Sequence, residues 1–140
     1  MKVIVDTNVA MDFMSDRRPF SDAAEKVFTM CCSELVDGYM TANSFCDLQY
    51  ILGKYLKDRE QLKSILSFWL HFIRIMDTGD ADMRYALVSD IDDYEDAVIA
   101  SVAERNRCDY IITRNTKDFE HSPVPAVTPE DFIPMAMRIR

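Results

Sequence analysis

Short apolar runs alternate along the chain with longer segments in which apolar residues recur every three or four positions. Short runs rich in β-branched residues are typical of strands buried on both faces of a parallel sheet, and they predict five strands, at residues 2–5, 39–41, 72–76, 110–113 and 124–127. The helical spacing predicts a short helix after Asp6, helices over residues 21–35, 80–89 and 94–106, and others from Asn43, through residues 62–70 and from Thr128. This alternation predicts an α/β fold, a three-layer α/β/α sandwich with a short central parallel sheet.

The length and composition fit one globular domain. The 140 residues are 49% hydrophobic and 29% charged, which is enough apolar surface for one core and too much for a disordered chain. With no repeat or linker visible, we expect a single domain over residues 1–140. The apolar stretch before Asp6 is far too short for a signal peptide, and no run approaches the length of a membrane span. We therefore expect a cytoplasmic protein with no membrane contact and with four free cysteines.

Four acidic residues stand where strands end or helices begin. In a parallel α/β sheet these positions share one edge. Asp6 follows the first strand and Asp118 the fourth, Asp47 lies in the opening turns of a helix, and Asp96 lies in the first turn of another. A doubly wound order would place the first and fourth strands side by side, so the acids can converge. Taken singly, Asp47 and Asp118 are better explained by capping of helices than by catalysis, but capping does not explain a carboxylate that ends a buried strand at Asp6.

The charge balance narrows the chemistry of such a cluster. Sixteen basic and twenty-four acidic residues give a net charge of −8, which opposes simple binding of a phosphate backbone. Clustered carboxylates repel one another, and a divalent cation relieves that repulsion. Oxygen ligands without His or Cys suit Mg²⁺ or Mn²⁺, which activate water and polarise phosphoryl groups. The pattern therefore indicates hydrolysis of phosphodiester bonds.

Three segments carry a family resemblance: VDTNV (5–9), DAVIASVAERNRCDYIITRNTKDF (96–119) and PVPAVTPEDF (123–132). Together they resemble the PIN-domain family as found in bacterial toxins of the VapC type. The resemblance implies a metal-dependent endoribonuclease that acts on RNA and is held in check by a cognate antitoxin, and it makes a homodimer plausible. By position it implies that Asp6 and Asp96 are the primary metal ligands, with Asp118 beside them.

The resemblance also implies supporting positions and two departures. Asn8 would support Asp6, and Thr113 and Asn115 would complete the side of the fourth strand. The second acid of the family is usually Glu, whereas the best match here is Asp47. Asn115 replaces the acid of the T-x-D pattern, so the fourth negative charge would come from Asp118. Both changes favour one firmly held metal ion over two.

Seven basic residues are candidates for contacts to RNA. Arg114 and Lys117 lie beside the predicted site and are the preferred substrate-binding residues. The other five are explained equally well as RNA contacts and as solvated surface residues: Arg17, Arg18, Lys54, Lys57 and Arg59.

Two alternatives remain open on the sequence alone. A receiver-like phosphoacceptor domain would use Asp6, Thr113 and Asp77, which follows the third strand, but it lacks the expected lysine after the fifth strand, where Thr128 stands. A catalytically weakened module that binds metal or nucleic acid would account for Asp47 and Asn115.

Overall fold

The computed structural model describes residues 1–139 and has a parallel five-stranded sheet. The strand order is β3-β2-β1-β4-β5, with the strands β1 (Lys2–Val5), β2 (Asp37–Thr41), β3 (Arg74–Met76), β4 (Tyr110–Ile112) and β5 (Ala126–Val127). The helices described are α1 (Thr7–Met14), α2 (Ser21–Cys32), α3 (Ala42–Tyr55), α4 (Arg59–Trp69), α5 (Asp80–Val88), α6 (Tyr94–Arg105) and α7 (Pro129–Met137). A turn of 3₁₀ helix covers Thr116–Phe119. The neighbouring β1 and β4 pair through Ile4 and Ile111.

The sheet is covered on both faces, because successive side chains of a strand point to opposite sides. Val3 and Val5 of β1 pack with α1, α2, α3, α4 and α7, whereas Ile4 packs with α5 and α6. All three are almost completely buried. The predicted three-layer α/β/α sandwich with a short parallel sheet is therefore confirmed.

Most element boundaries agree with the sequence prediction, and the differences lie at the ends. The second predicted helix ends at Cys32, three residues early, and a positive φ at Glu34 turns the chain toward the sheet. Asp37 and Gly38 begin β2. The predicted third and fifth strands lose residues at their starts, leaving Arg74–Met76 and Ala126–Val127. Strand ends that lack a paired neighbour are not regular ladder residues, and hydrophobicity alone does not mark them.

A buried carboxylate joins α5 to α6. The Asp82 side chain is only 1% exposed and accepts hydrogen bonds from Ser101 Oγ at 2.8 Å and from Arg105 Nη2 at 2.8 Å. The Gly79 N–H donates to the same carboxylate at 2.9 Å. Burial alone would raise the pKa of Asp82, but these hydrogen bonds hold it below its ordinary value. This contact fixes α6, whose first turn enters the candidate site.

No helix within residues 1–139 has the length and apolar character needed to cross a membrane. All four cysteines are free. Cys31 and Cys108 are buried, as small core residues would be, whereas Cys32 and Cys46 are exposed.

Candidate active site

A cleft of about 530 Å³ lies at the carboxyl edge of the sheet. It brings together six residues that the sequence placed at this edge: Asp6, Asn8, Asp47, Asp96, Asn115 and Asp118. Its other polar lining residues are Thr7, Arg17, Tyr50, Asp93 and Glu95. The carboxylates come from four separate parts of the fold: the end of β1, the opening turns of α3, the first turn of α6, and the segment after β4. The strand order therefore assembles an acidic cleft from residues that are far apart in sequence.

Asp6 is the most firmly held of these acids. Thr113 Oγ1 donates to Asp6 Oδ2 at 2.9 Å, and the Thr7 N–H donates to Asp6 Oδ1 at 2.8 Å. The amide of Asn8 is farther away, with its Nδ2 at 3.4 Å from Oδ2. Burial raises the pKa of Asp6, the bonds from Thr113 and Thr7 lower it, and the charge of Asp118 raises it again, with a net rise. A cation bound to this fixed side chain would favour its ionised form and so reverse the rise in its pKa.

Asp96 lies in the first turn of α6, where its N–H donates to the capping Asp93 Oδ1 at 2.9 Å. Burial raises its pKa from 3.8 to about 7, and the charges of Asp6, Asp93 and Asp118 contribute in that order. The side chains are therefore close enough to repel one another through the cleft.

Asp47 and Glu95 form a second acidic pair. The nearby carboxyl group of Asp47 is the largest cause that raises the pKa of Glu95 to about 8, followed by burial. Glu95 is therefore protonated more readily than an isolated glutamate, because two adjacent carboxylates cannot both ionise cheaply. Asp47 thus has an acidic partner on α6 that position in the sequence does not indicate.

The two preferred cations do not line this cleft. Arg114 Nε donates to Asp12 Oδ2 at 2.6 Å, and its guanidinium lies 4.3 Å from the centre of the Phe20 ring. Lys117 lines an adjoining acidic hollow of about 490 Å³, which Asp96 and Asp118 also line. The Arg114 side chain therefore pairs with the buried carboxylate of Asp12, and Lys117 lies in the hollow that adjoins the cleft.

Sequence reasoning did not single out Asp93, Glu95 or Asp12. Both Asp93 and Glu95 stand in an acidic run, and the three-residue spacing from Asp93 to Asp96 is a capping signal that places them at the start of α6. Asp12 interrupts the otherwise apolar α1 and is 1% exposed. A charged residue within a buried stretch signals a paired carboxylate.

The sheet order also decides one alternative. β3 is the edge strand, and β2 separates it from β1. Asp77, which follows β3, is exposed and is absent from the residues that line the cleft with Asp6. The receiver-like interpretation, which needs Asp77 beside Asp6, is therefore wrong for this topology.

The donor atoms of the cleft suit a hard divalent cation. Carboxylate oxygens of Asp6, Asp96 and Asp118 are the ligand type that Mg²⁺ and Mn²⁺ prefer. Within residues 1–139, no three His, Cys, Asp or Glu side chains stand in a ready-made arrangement for a metal ion. The fit therefore rests on the chemistry of the donors and on their mutual repulsion.

Known proteins were compared at the levels of family, sequence and fold. A profile of the PIN domain matches residues 2–117. No curated protein matches the sequence. Among solved structures, the chain is similar to VapBC2 from Rickettsia felis bound to a promoter DNA fragment, with TM-score 0.70, 20% identity and coverage of 91% of this chain and 98% of that one.

Two further solved structures share the fold. A toxin–antitoxin complex from Klebsiella pneumoniae has TM-score 0.68 and 22% identity, with coverage of 91% of this chain and 97% of that one. FitAcB from Neisseria gonorrhoeae has TM-score 0.65 and 20% identity, with coverage of 91% and 98%. At this identity the structures establish the shared fold, and the profile match establishes the family: the chain belongs to the PIN-domain family.

Proposed function

We propose that this protein is a metal-dependent endoribonuclease that hydrolyses RNA phosphodiester bonds in the acidic cleft. One observation carries the proposal: six acidic side chains from separate parts of the fold line one cleft at the carboxyl edge of the sheet. Burial and the charges of Asp6, Asp93 and Asp118 accordingly raise the pKa of Asp96 to about 7. Acids brought this close at the edge of a sheet destabilise the empty site, and a bound cation reverses that effect.

Asp6, Asp96 and Asp118 would hold the cation, which we propose to be Mg²⁺ or Mn²⁺. When bound, such an ion activates water and stabilises the charge on a phosphoryl oxygen. Thr113 and the Thr7 N–H keep the Asp6 carboxylate in one orientation, so the ligand does not have to be ordered when the ion arrives. Asn8 supports the same region through its contact with Thr113, Nδ2 to Oγ1 at 3.3 Å.

Asp47 and Glu95 provide a second function within the cleft. Asp47 raises the pKa of Glu95 to about 8, so Glu95 would accept or release a proton near neutral pH. Glu95 also supplies a longer acid beside Asp47, and Asp118 supplies the charge that Asn115 lacks, so both departures from the family pattern are offset. We accordingly propose one principal metal ion.

The fold relatives suggest the biological setting. The solved structures similar to this chain include a toxin–antitoxin complex from Klebsiella pneumoniae and VapBC2 from Rickettsia felis bound to a fragment of promoter DNA. We propose that this chain is likewise the toxin of such a pair, that it acts in the cytoplasm, and that a cognate antitoxin and a second copy of the chain are its protein partners.

The test is cleavage of structured RNA by purified protein with Mg²⁺ or Mn²⁺. The wild type should cleave, Asp6→Asn should not, and a chelator should stop the wild type. Asp109→Asn is the matched control, because Asp109 is exposed and precedes β4 at the opposite edge of the sheet, so this variant should cleave like the wild type.

RNA left equally intact by the wild type and by Asp6→Asn would contradict the proposal. If the wild type binds RNA and Mn²⁺ but leaves the RNA intact, the chain is the catalytically weakened binding module that Asp47 and Asn115 suggested.

A further inference from the structure

Arg17 stands apart from the rest of the cleft wall. Among the described residues that line the cleft, it is the only cation, and it lines the cleft together with Asp6, Asp47 and Asp96. Its backbone is fixed, because its N–H donates to the Asp12 carbonyl at 2.9 Å and its carbonyl accepts from Phe20 and Ser21, both at 2.9 Å. Its side chain is 46% exposed. The backbone of Arg17 is thus fixed, whereas its charged side chain is partly exposed.

The charge of Arg17 is not needed to neutralise its nearest acid. Arg114 already pairs with Asp12 Oδ2 at 2.6 Å. Arg17 Nη1 lies 3.7 Å from the other oxygen, Oδ1, which is buried and has no hydrogen-bond partner. Within residues 1–139 the Arg17 guanidinium donates no hydrogen bond, so its five N–H groups remain available to a ligand. The weak contact with Asp12 keeps the Arg17 guanidinium near the cleft and leaves its N–H groups free to donate hydrogen bonds.

An exposed aromatic ring lines the same cleft. Tyr50 of α3 is 68% exposed, although a large aromatic side chain gains most when its ring is covered. Lys54 Nζ lies 4.6 Å from the centre of the ring and adds positive charge beside it. Aromatic rings next to cations are the surfaces on which proteins stack unpaired bases.

We propose that Arg17 and Tyr50 form a nucleotide-binding position on the cleft wall, in which Arg17 binds a backbone phosphate and Tyr50 stacks the neighbouring unpaired base. The inference rests on the proposed function, since it places the strand beside the acidic residues. A guanidinium binds a phosphate through two parallel hydrogen bonds, which fixes both position and orientation. In a protein of charge −8, this position would hold the strand while a cation meets the phosphate that is cut.

The matched controls come from the chain itself. Arg18 is adjacent to Arg17, is 65% exposed and pairs with Asp16 and Asp22 outside the cleft. Tyr55 lies on the same helix as Tyr50, is 70% exposed and does not line the cleft. A general loss of surface charge or of aromatic area would affect each control as much as its test residue.

The experiment measures binding of a fluorescently labelled single-stranded oligoribonucleotide by anisotropy over a range of salt concentrations. All proteins carry Asp6→Asn, so the RNA stays intact and binding is read separately from cleavage. Arg17→Ala should reduce the slope of log affinity against log salt by about 0.7, the loss of one phosphate contact on a single strand. Tyr50→Ala should weaken binding by about 5- to 150-fold with the slope unchanged, and Tyr50→Phe should bind like the parent because stacking is retained.

Arg18→Ala and Tyr55→Ala should keep the parent slope and affinity. Blunt duplex RNA should bind Tyr50→Ala and its parent equally, because paired bases are not available for stacking. Arg17→Gln, which removes the charge but keeps a long polar side chain, should lower the salt slope as Arg17→Ala does, and it replaces Arg17→Ala if that variant fails to fold by circular dichroism. The inference is overturned if Arg17→Ala has the slope of Arg18→Ala, or if Tyr50→Ala has the affinity of Tyr55→Ala. Failure of the wild type to cleave RNA would instead overturn the proposed function.

Discussion

Asp96 shows how strongly the acidic residues of the cleft raise one another's pKa values. Its pKa rises from 3.8 to about 7 because the side chain is partly buried and because Asp6, Asp93 and Asp118 face it. A carboxyl group that is easier to protonate in the folded protein than in the unfolded chain makes its full contribution to stability below its unfolded pKa. That contribution is lost as the pH rises through the folded pKa.

The metal-free protein should therefore become less stable as the pH rises from about 5 to about 8, a window that ends near the raised pKa values of Asp96 and Glu95. Asp96→Asn should show a flatter dependence and be more stable than the wild type at the alkaline end, because the substituted amide does not ionise. Urea unfolding in the presence of a chelator measures both. Asp109→Asn should keep the wild-type dependence, and an equal slope for Asp96→Asn and the wild type would contradict the electrostatic account.

At the residue scale, the sequence correctly predicted which acids share an edge but not where every side chain points. Asp6, Asp47, Asp96 and Asp118 line one cleft, because strand ends and helix starts place their backbones there. The direction of Arg114 depended on Asp12, 102 residues away in sequence. A buried ion pair of this kind is decided by tertiary packing, which the pattern of strands and helices does not encode.

At the scale of elements, α2 approaches β2 closely at Gly38. A Cβ atom added there would lie 2.5 Å from Cys31 Sγ and 2.9 Å from Ile73 Cδ1, both shorter than real contacts allow. The absence of a side chain at this position therefore lets the helix pack against the strand. At Gly53, within α3, an added Cβ would meet only Leu62 at an ordinary 3.7 Å.

Substitution of the two glycines should thus have opposite effects. Gly38→Ala should lower the free energy of unfolding by about 1–3 kcal/mol, as overpacking of a core does. Gly53→Ala should raise it by about 0.5–1 kcal/mol, because alanine is the better helix former. Urea unfolding of both variants at one pH checks the signs. Stabilisation by Gly38→Ala would show that α2 and β2 are not packed as described.

Gly38 also explains where the sequence prediction of elements fell short. Asp37-Gly38 is a common stop signal for a helix, which agrees with the helix predicted over residues 21–35. In the structure, Cys32 ends α2 earlier, and Asp37 and Gly38 pair with Lys2 and Val3 in the sheet. The glycine is required by the close approach of α2 to β2, and such an approach becomes visible only once the elements are packed.

At the scale of the whole molecule, the net charge of −8 is unevenly distributed. Six carboxylates line the cleft, those of Asp6, Asp47, Asp93, Glu95, Asp96 and Asp118, and Arg17 is the one cation among the described lining residues. Such a surface repels RNA until positive charge is supplied in the cleft itself. The fold and the carboxylate edge followed from the order of elements, whereas this distribution of charge required the three-dimensional arrangement.

The central claim is that these carboxylates form a divalent metal site, and calorimetric titration of Mn²⁺ tests it most directly. Wild-type protein should bind Mn²⁺, Asp109→Asn should bind it equally well, and Asp6→Asn and Asp96→Asn should each bind it at least about tenfold more weakly. Mn²⁺ binding that is the same in the wild type, Asp6→Asn and Asp96→Asn, or no binding by the wild type, would contradict the account.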